Sequence, residues 1–299
     1  MKKETPFGAV PRYLVGDNGP SVVPGYDKAN FGYASISPII PVEARSFHTV
    51  TLTYTVGKLG IDDTGAIRVC WRMVSDAGRP QMDNPSGENF VTATSSGEGS
   101  LVLKFEQLGG QRPWNETLTI YQRGGYLKEG DIVTIVFGDK TGGSPGMLAQ
   151  TFAEGGRDFR ITADVQATGN FVELPDTQLS IPIVAGPANS WHAVLPTLRR
   201  PKEPFHLGIK AEDKWGNPTQ QATGKLTLIP SLPVIGLPKT IDYTPKDRAL
   251  TLDNLTVEKS GLLRISLEIE GKKVAEAGPL LIQAGKIAGF WGDLHGQTG

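Results

Sequence analysis

Cysteine is almost absent: Cys70 stands alone, which excludes an internal disulfide and any zinc site built from several cysteines. A single thiol fits a reducing compartment and a disulfide-free exported protein equally well. Charge of either sign is not in excess, with 30 Lys plus Arg against 31 Asp plus Glu and a formal net charge of −1. Nucleic-acid binding proteins and polybasic membrane-surface proteins normally carry a basic surplus, so both classes are disfavoured. Long apolar runs are missing too, and none approaches the roughly 18 residues of a membrane span. Lys2 and Lys3 resemble the start of a signal peptide, but the apolar stretch that must follow is not there. The chain as written is expected to be soluble and cytoplasmic, with neither nucleic acid nor membrane as partner. Helical periodicity is also lacking, since no segment sustains a 3.6-residue apolar repeat with caps.

Turn formers are abundant instead, with 37 Gly and 22 Pro among 299 residues. Hydrophobic residues still make up 38%, enough for folded cores. Alternation with period two is the dominant pattern. Val50, Leu52, Tyr54 and Val56 share one face of Thr49 to Val56, with threonines on the other. Ile67, Val69, Trp71 and Met73 oppose Arg68, Cys70 and Arg72. Further strands are predicted at 101–105, 117–121, 132–137 and 159–165. This is how antiparallel sheets with one covered face read.

A linker is predicted at Glu173-Leu174-Pro175-Asp176. Beyond it, seven strand signals (179–184, 191–195, 205–211, 225–229, 250–255, 261–269 and 274–282) match the count of an immunoglobulin-like sandwich. Asp213-Lys214-Trp215-Gly216-Asn217-Pro218 has the chemistry of a tight connection. Gly216 or Asn217 can take positive φ, and Asp213 can bond the turn backbone. Similar turns occur in bacterial immunoglobulin-like domains, which this half resembles. The fold class expected is all-β, with two β-sandwich domains, the second immunoglobulin-like. The boundaries expected are an irregular segment 1–30, a β-sandwich 31–172, an immunoglobulin-like sandwich 173–286 and a separate stub 287–299. Leu52, Tyr54, Val69, Trp71, Ile120 and Ile135 are the expected core of the first sandwich. Trp191, Leu207, Ile209, Leu226, Ile265 and Leu267 are that of the second.

Candidate chemistry is sparse. His48, His192 and His206 lie far apart, and none has ligand spacing. Asp62-Asp63-Thr64-Gly65 lacks the acidic spacing of a calcium loop and reads as a hairpin turn. Gly142 to Gly146 has no following Gly-Lys-Ser/Thr, so phosphate cradling is unsupported. Trp114, Tyr121 and Tyr126 are candidates for an aromatic sugar-binding platform, with packing as the competing reading. No nucleophile–base pair stands out.

The last ten residues differ: Phe290-Trp291-Gly292-Asp293-Leu294-His295-Gly296-Gln297-Thr298-Gly299. Trp-Gly-Asp-Leu-His resembles the opening motif of the polymerase-and-histidinol-phosphatase (PHP) superfamily of metal-dependent phosphoesterases. Within it, the chain is similar to the bacterial domain-of-unknown-function family 3604, which is expected to place β-rich regions before a PHP-like barrel. The resemblance also touches 53–62, 113–147 and 185–188. It implies that these residues are the non-catalytic front of a metal-dependent hydrolase, inactive alone, whose partner is its own C-terminal catalytic domain. His295 would be a metal ligand there, for a divalent metal that this chain alone does not bind. Many PHP proteins have His-x-His at this point, whereas here His295 is followed by Gln297, a weak ligand. The remaining ligands would lie on strands beyond Gly299. The alternative is a stand-alone binding or adhesion module, carbohydrate being one ligand class.

Overall fold

The computed structural model describes residues 28–285, apart from 111, 175–178, 245 and 247. The stub 287–299, with His295, and the centre of the expected linker, Pro175 and Asp176, therefore lie outside the described residues. The described chain is almost entirely strand. One four-residue helix, α1 (Lys28–Phe31), precedes twenty-one strands, and the chain divides into two units between Val184 and Ala185.

The first unit is a β-sandwich. Its smaller sheet has the order β1 (Tyr33–Ser37), β4 (Val50–Thr55), β9 (Ile132–Phe137), β6 (Val91–Ser95). Its larger sheet runs β2 (Val42–Glu43), β13 (Leu179–Val184), β11 (Glu154–Asp164), β5 (Ala66–Trp71), β8 (Glu116–Arg123), β7 (Ser100–Glu106). A short β12 (Val172–Glu173) also pairs with β11, and β3 (Phe47–His48) pairs with β10 (Met147–Leu148). The expected alternation decides what is inside. Leu52 and Tyr54 of β4 with Val133 and Ile135 of β9 join Val69, Trp71, Leu118, Ile120 and Ile161 of the larger sheet in one core. Complete burial of a Leu or Ile side chain stabilises by about 1.5–3 kcal/mol. Gly138 closes the ladder beside β3. Its φ is 70°, and a Cβ there would sit 2.2 Å from the Met147 nitrogen, so only glycine fits.

The second unit is the immunoglobulin-like sandwich. Three strands, β14 (Ser190–Val194), β16 (Phe205–Glu212) and β19 (Leu250–Leu255), form one layer. Five form the other, in the order β15 (Leu198–Arg199), β21 (Lys272–Ile282), β20 (Gly261–Ile269), β17 (Gly224–Pro230), β18 (Thr240–Tyr243). Leu207 and Ile209 of the first layer meet Leu226, Ile265 and Leu267 of the second in its core. The Asp213 turn forms as its residues suggest. Gly216 takes φ 88°, while the Asp213 carboxylate accepts from the backbone nitrogens of Trp215 at 2.8 Å and Asn217 at 2.9 Å.

Three expectations need correction. Leu179–Val184 belongs to the first unit, because it pairs with β11 and β2, so the division comes later than residue 172. Trp191 is half-buried, because β14 is an edge strand, although its ring meets Tyr243 edge-on at 4.9 Å. Met73 is exposed because β5 ends at Trp71.

Candidate functional site

Most sequence candidates resolve into ordinary structure. His206 is exposed on β16, and His192 on β14 meets Glu212 at 2.9 Å. Asp62 to Gly65 is a turn, closed by the Gly65 nitrogen donating to the Asp62 carbonyl at 2.9 Å. Gly142 to Gly146 is another, with Gly143 donating to Lys140. Trp114, Tyr121 and Tyr126 do not share a platform. Each ring faces its own cations: Arg160 and Arg72 at Trp114, Arg123 at Tyr121, Lys128 at Tyr126. Among the described residues, no group of three or more His, Cys, Asp or Glu is placed to hold a metal, and no helix is long and apolar enough to cross a membrane.

Polar chemistry concentrates on the outer face of the larger sheet. On β5, Ile67, Val69 and Trp71 point into the core, so Arg68 and Cys70 must point away. Strand register then lines up two rows. Lys104, Thr119, Arg68, Thr162 and Glu173 stand side by side across β7, β8, β5, β11 and β12. Next to them run Glu106, Thr117, Cys70 and Arg160. Thr117, Thr119 and Thr162 are 0% exposed although they lie on the outer face.

The cover comes from the loop after β11. Asp164 accepts from the nitrogens of Thr168 at 3.0 Å and Gly169 at 2.7 Å, and Ala167 and Gly169 take positive φ. This reversal carries the chain back over the sheet, and the Phe171 ring centre lies 3.7 Å from the Arg68 guanidinium carbon. Arg160 pairs with Glu173 at 2.5 Å and lies 5.1 Å from the centre of the Trp114 ring.

Within this layer Thr119 Oγ1, Thr162 Oγ1 and Arg68 Nε are buried without hydrogen-bond partners. Burial of such groups normally demands a partner. The Cys70 thiol accepts from Thr117 Oγ1 at 3.5 Å. Burial pushes it up, while the Thr117 hydroxyl, Arg68 and Arg160 pull it back less strongly, so it stays a protonated thiol and not a nucleophile. Burial likewise raises Glu173 against the pull of Arg160. At the rim of this covered layer the Trp114 ring stays half-exposed beside the Arg72 and Arg160 guanidiniums. Sequence reading finds Arg68 and the threonines by alternation, but not Phe171, which arrives from a loop.

No family model matches the chain, and no curated protein does. Among solved structures, the Escherichia coli adhesin FdeC is 15% identical over 87% of this chain and 65% of its own, at a TM-score of 0.32. The chain thus spans just under two thirds of that protein's length. A cohesin module from a Clostridium perfringens family 33 glycoside hydrolase is 12% identical over 52% of this chain and 99% of its own, at 0.33. The collagen adhesin of S. aureus is 10% identical over 84% and 93%, at 0.27.

Proposed function

We propose that this chain is a binding module, and that its first unit holds a hydroxyl-rich ligand of the saccharide class against the outer face of the larger sheet. The single observation that carries this reading is the half-exposed Trp114 ring at the rim of that face, flanked by the Arg72 and Arg160 guanidiniums. Guanidinium and hydroxyl groups hydrogen-bond sugar hydroxyls well, and the half-exposed Trp114 ring offers an apolar face to a pyranose. Arg160 and Arg72 already hold that ring in place. Screening the whole chain on a saccharide array should find a retained class. Trp114→Ala should then weaken its binding roughly tenfold, with little change in melting temperature. If no saccharide is retained, or if Trp114→Ala binds as well as the wild type, the reading fails.

A second reading rests on Trp291 to His295, which supports the two sandwiches as the non-catalytic front of a metal-dependent hydrolase. His295 would then supply one ligand for the metal. A longer product of the same reading frame should hydrolyse phosphoesters in a metal-dependent way, and His295→Ala should abolish this. Inactivity of that product with every divalent metal tried would count against it.

A further inference from the structure

A small space lies inside the first unit, next to the core cluster around Trp71. It measures about 10 Å³, room for one water-sized group. Apolar side chains, among them Trp71, Phe137 and Phe159, make most of its wall. His48 of β3 and Arg157 of β11 also line it.

Each of these two residues brings a buried nitrogen without a hydrogen-bond partner, His48 Nδ1 and Arg157 Nε. Their needs are opposite. Arg157 occupies an inward position of β11 and is 6% exposed. Burial brings it down to about 10 despite Glu116 and Glu154 nearby, so it remains a cation at neutral pH and Nε carries a hydrogen to donate. Burial, then the Arg157 charge, lowers His48 to about 4 against the carbonyls of Ser46 and Met147, and Lys140 adds positive charge. The imidazole is therefore neutral at pH 7 and has a single N–H. The two carbonyls take that hydrogen, which puts it on Nε2. Nδ1 is left with a bare lone pair and can only accept.

We propose, beyond the saccharide reading and independently of it, that this space binds one water molecule as a fixed part of the fold. The water oxygen accepts from Arg157 Nε–H, and one water hydrogen goes to His48 Nδ1, so the molecule bridges β3 to β11. The pair of nitrogens is selective. An anion would satisfy Arg157 but set its charge against the Nδ1 lone pair. A cation would suit Nδ1 but meet the Arg157 charge. Only a neutral group that both accepts and donates serves the two together, and the space admits nothing larger than water. Two hydrogen bonds lie at the lower end of what buried waters make. The molecule is enclosed as the chain folds and exchanges when the structure opens locally, so it needs no channel.

A high-resolution crystal structure of the whole chain, from crystals soaked in sodium bromide, should show one water within about 2.7–3.2 Å of both nitrogens and no anomalous bromide signal there. Nitrogen-15 spectra of the histidine rings at pH 7 should place the His48 hydrogen on Nε2. Oxygen-17 relaxation dispersion counts water molecules held for longer than the protein takes to tumble. That count should fall by one in His48→Phe, which keeps a ring and loses the acceptor, and likewise in Arg157→Met. The crystal and nitrogen measurements use the wild type, so they decide the matter even if neither variant folds. Trp114→Ala should leave the count unchanged, which separates this site from the saccharide reading. Bromide or no density in the space overturns the proposal. So does a direct bond from Arg157 Nε–H to His48 Nδ1, a hydrogen on Nδ1, or an unchanged count in a folded His48→Phe.

Discussion

Trp71→Ala should destabilise the first unit by about 3–5 kcal/mol, seen as a lower denaturant midpoint with an unchanged slope. The indole stacks on Phe105 at 5.8 Å and meets Phe137 and Phe159 near edge-on at 5.9 and 6.1 Å. Truncation at the centre of this cluster leaves a cavity that strands on both sides hold open. The indole nitrogen also donates to the Glu116 carboxylate directly across the ladder. Without that donor, a carboxyl already raised by burial loses the hydrogen bond that favours its charge. Trp71→Phe should keep most of the packing and lose about 1–3 kcal/mol, the effect of leaving a buried polar group unmatched. An alanine variant with the wild-type midpoint would refute the central position given to this ring.

Asp213→Ala should cost the second unit about 3–4 kcal/mol, because four donors lose one charged acceptor. Asp213 is buried, 3% exposed as a residue. Oδ1 takes the nitrogens of Trp215 and Asn217, while Oδ2 takes that of Gly186 at 3.0 Å and the Asn217 amide at 2.9 Å. Burial by itself raises this acid, but the summed hydrogen bonds from Asn217, Gly186 and Trp215 leave it below the usual aspartate value. A folded pKa lower than the unfolded one means that the unfolded chain takes up the proton first. The stabilisation is therefore complete above the ordinary aspartate range, about pH 4, and is lost as pH falls through the lowered folded value. The gap in melting temperature between wild type and Asp213→Ala should narrow below about pH 4. A gap that stays constant down to pH 2 would contradict this role.

The same turn marks what a sequence discloses well. Asp213, Gly216 and Asn217 are local chemistry, and their turn follows without knowledge of distant residues. Alternation on β4 and β5 is equally local, so Leu52, Tyr54, Val69 and Trp71 are legible as core. Pairing is not local. Leu179–Val184 reads as a strand, yet nothing within it says that its neighbours are β11 and β2. Arg157 escaped because the expected strand starts at Phe159. Extending the period two residues back to Arg157, just short of the register shift toward Glu154, places a cation among core positions. The outer face of the larger sheet depends on register between five strands, so Thr119, Arg68 and Thr162 are visible singly but not as a row. His295 lies outside the described residues.

The position of β13 bears on how the first unit is made. It enters the larger sheet between β2 and β11, pairing Ile183 with Val42 in parallel and Leu179 with Phe159 in antiparallel fashion. A ribosome releases Val42 early and Ile183 last among these partners, so the sheet lacks an inner strand through most of synthesis. Once made, β11 from Glu154 to Phe159 offers an unpaired ladder edge until β13 follows it, the kind of surface that recruits neighbouring chains. Closing the distant contact of Ile183 with Val42 is slow. Gly155 and Gly156 in that waiting edge, where the register later shifts, make it a poor template for a foreign strand.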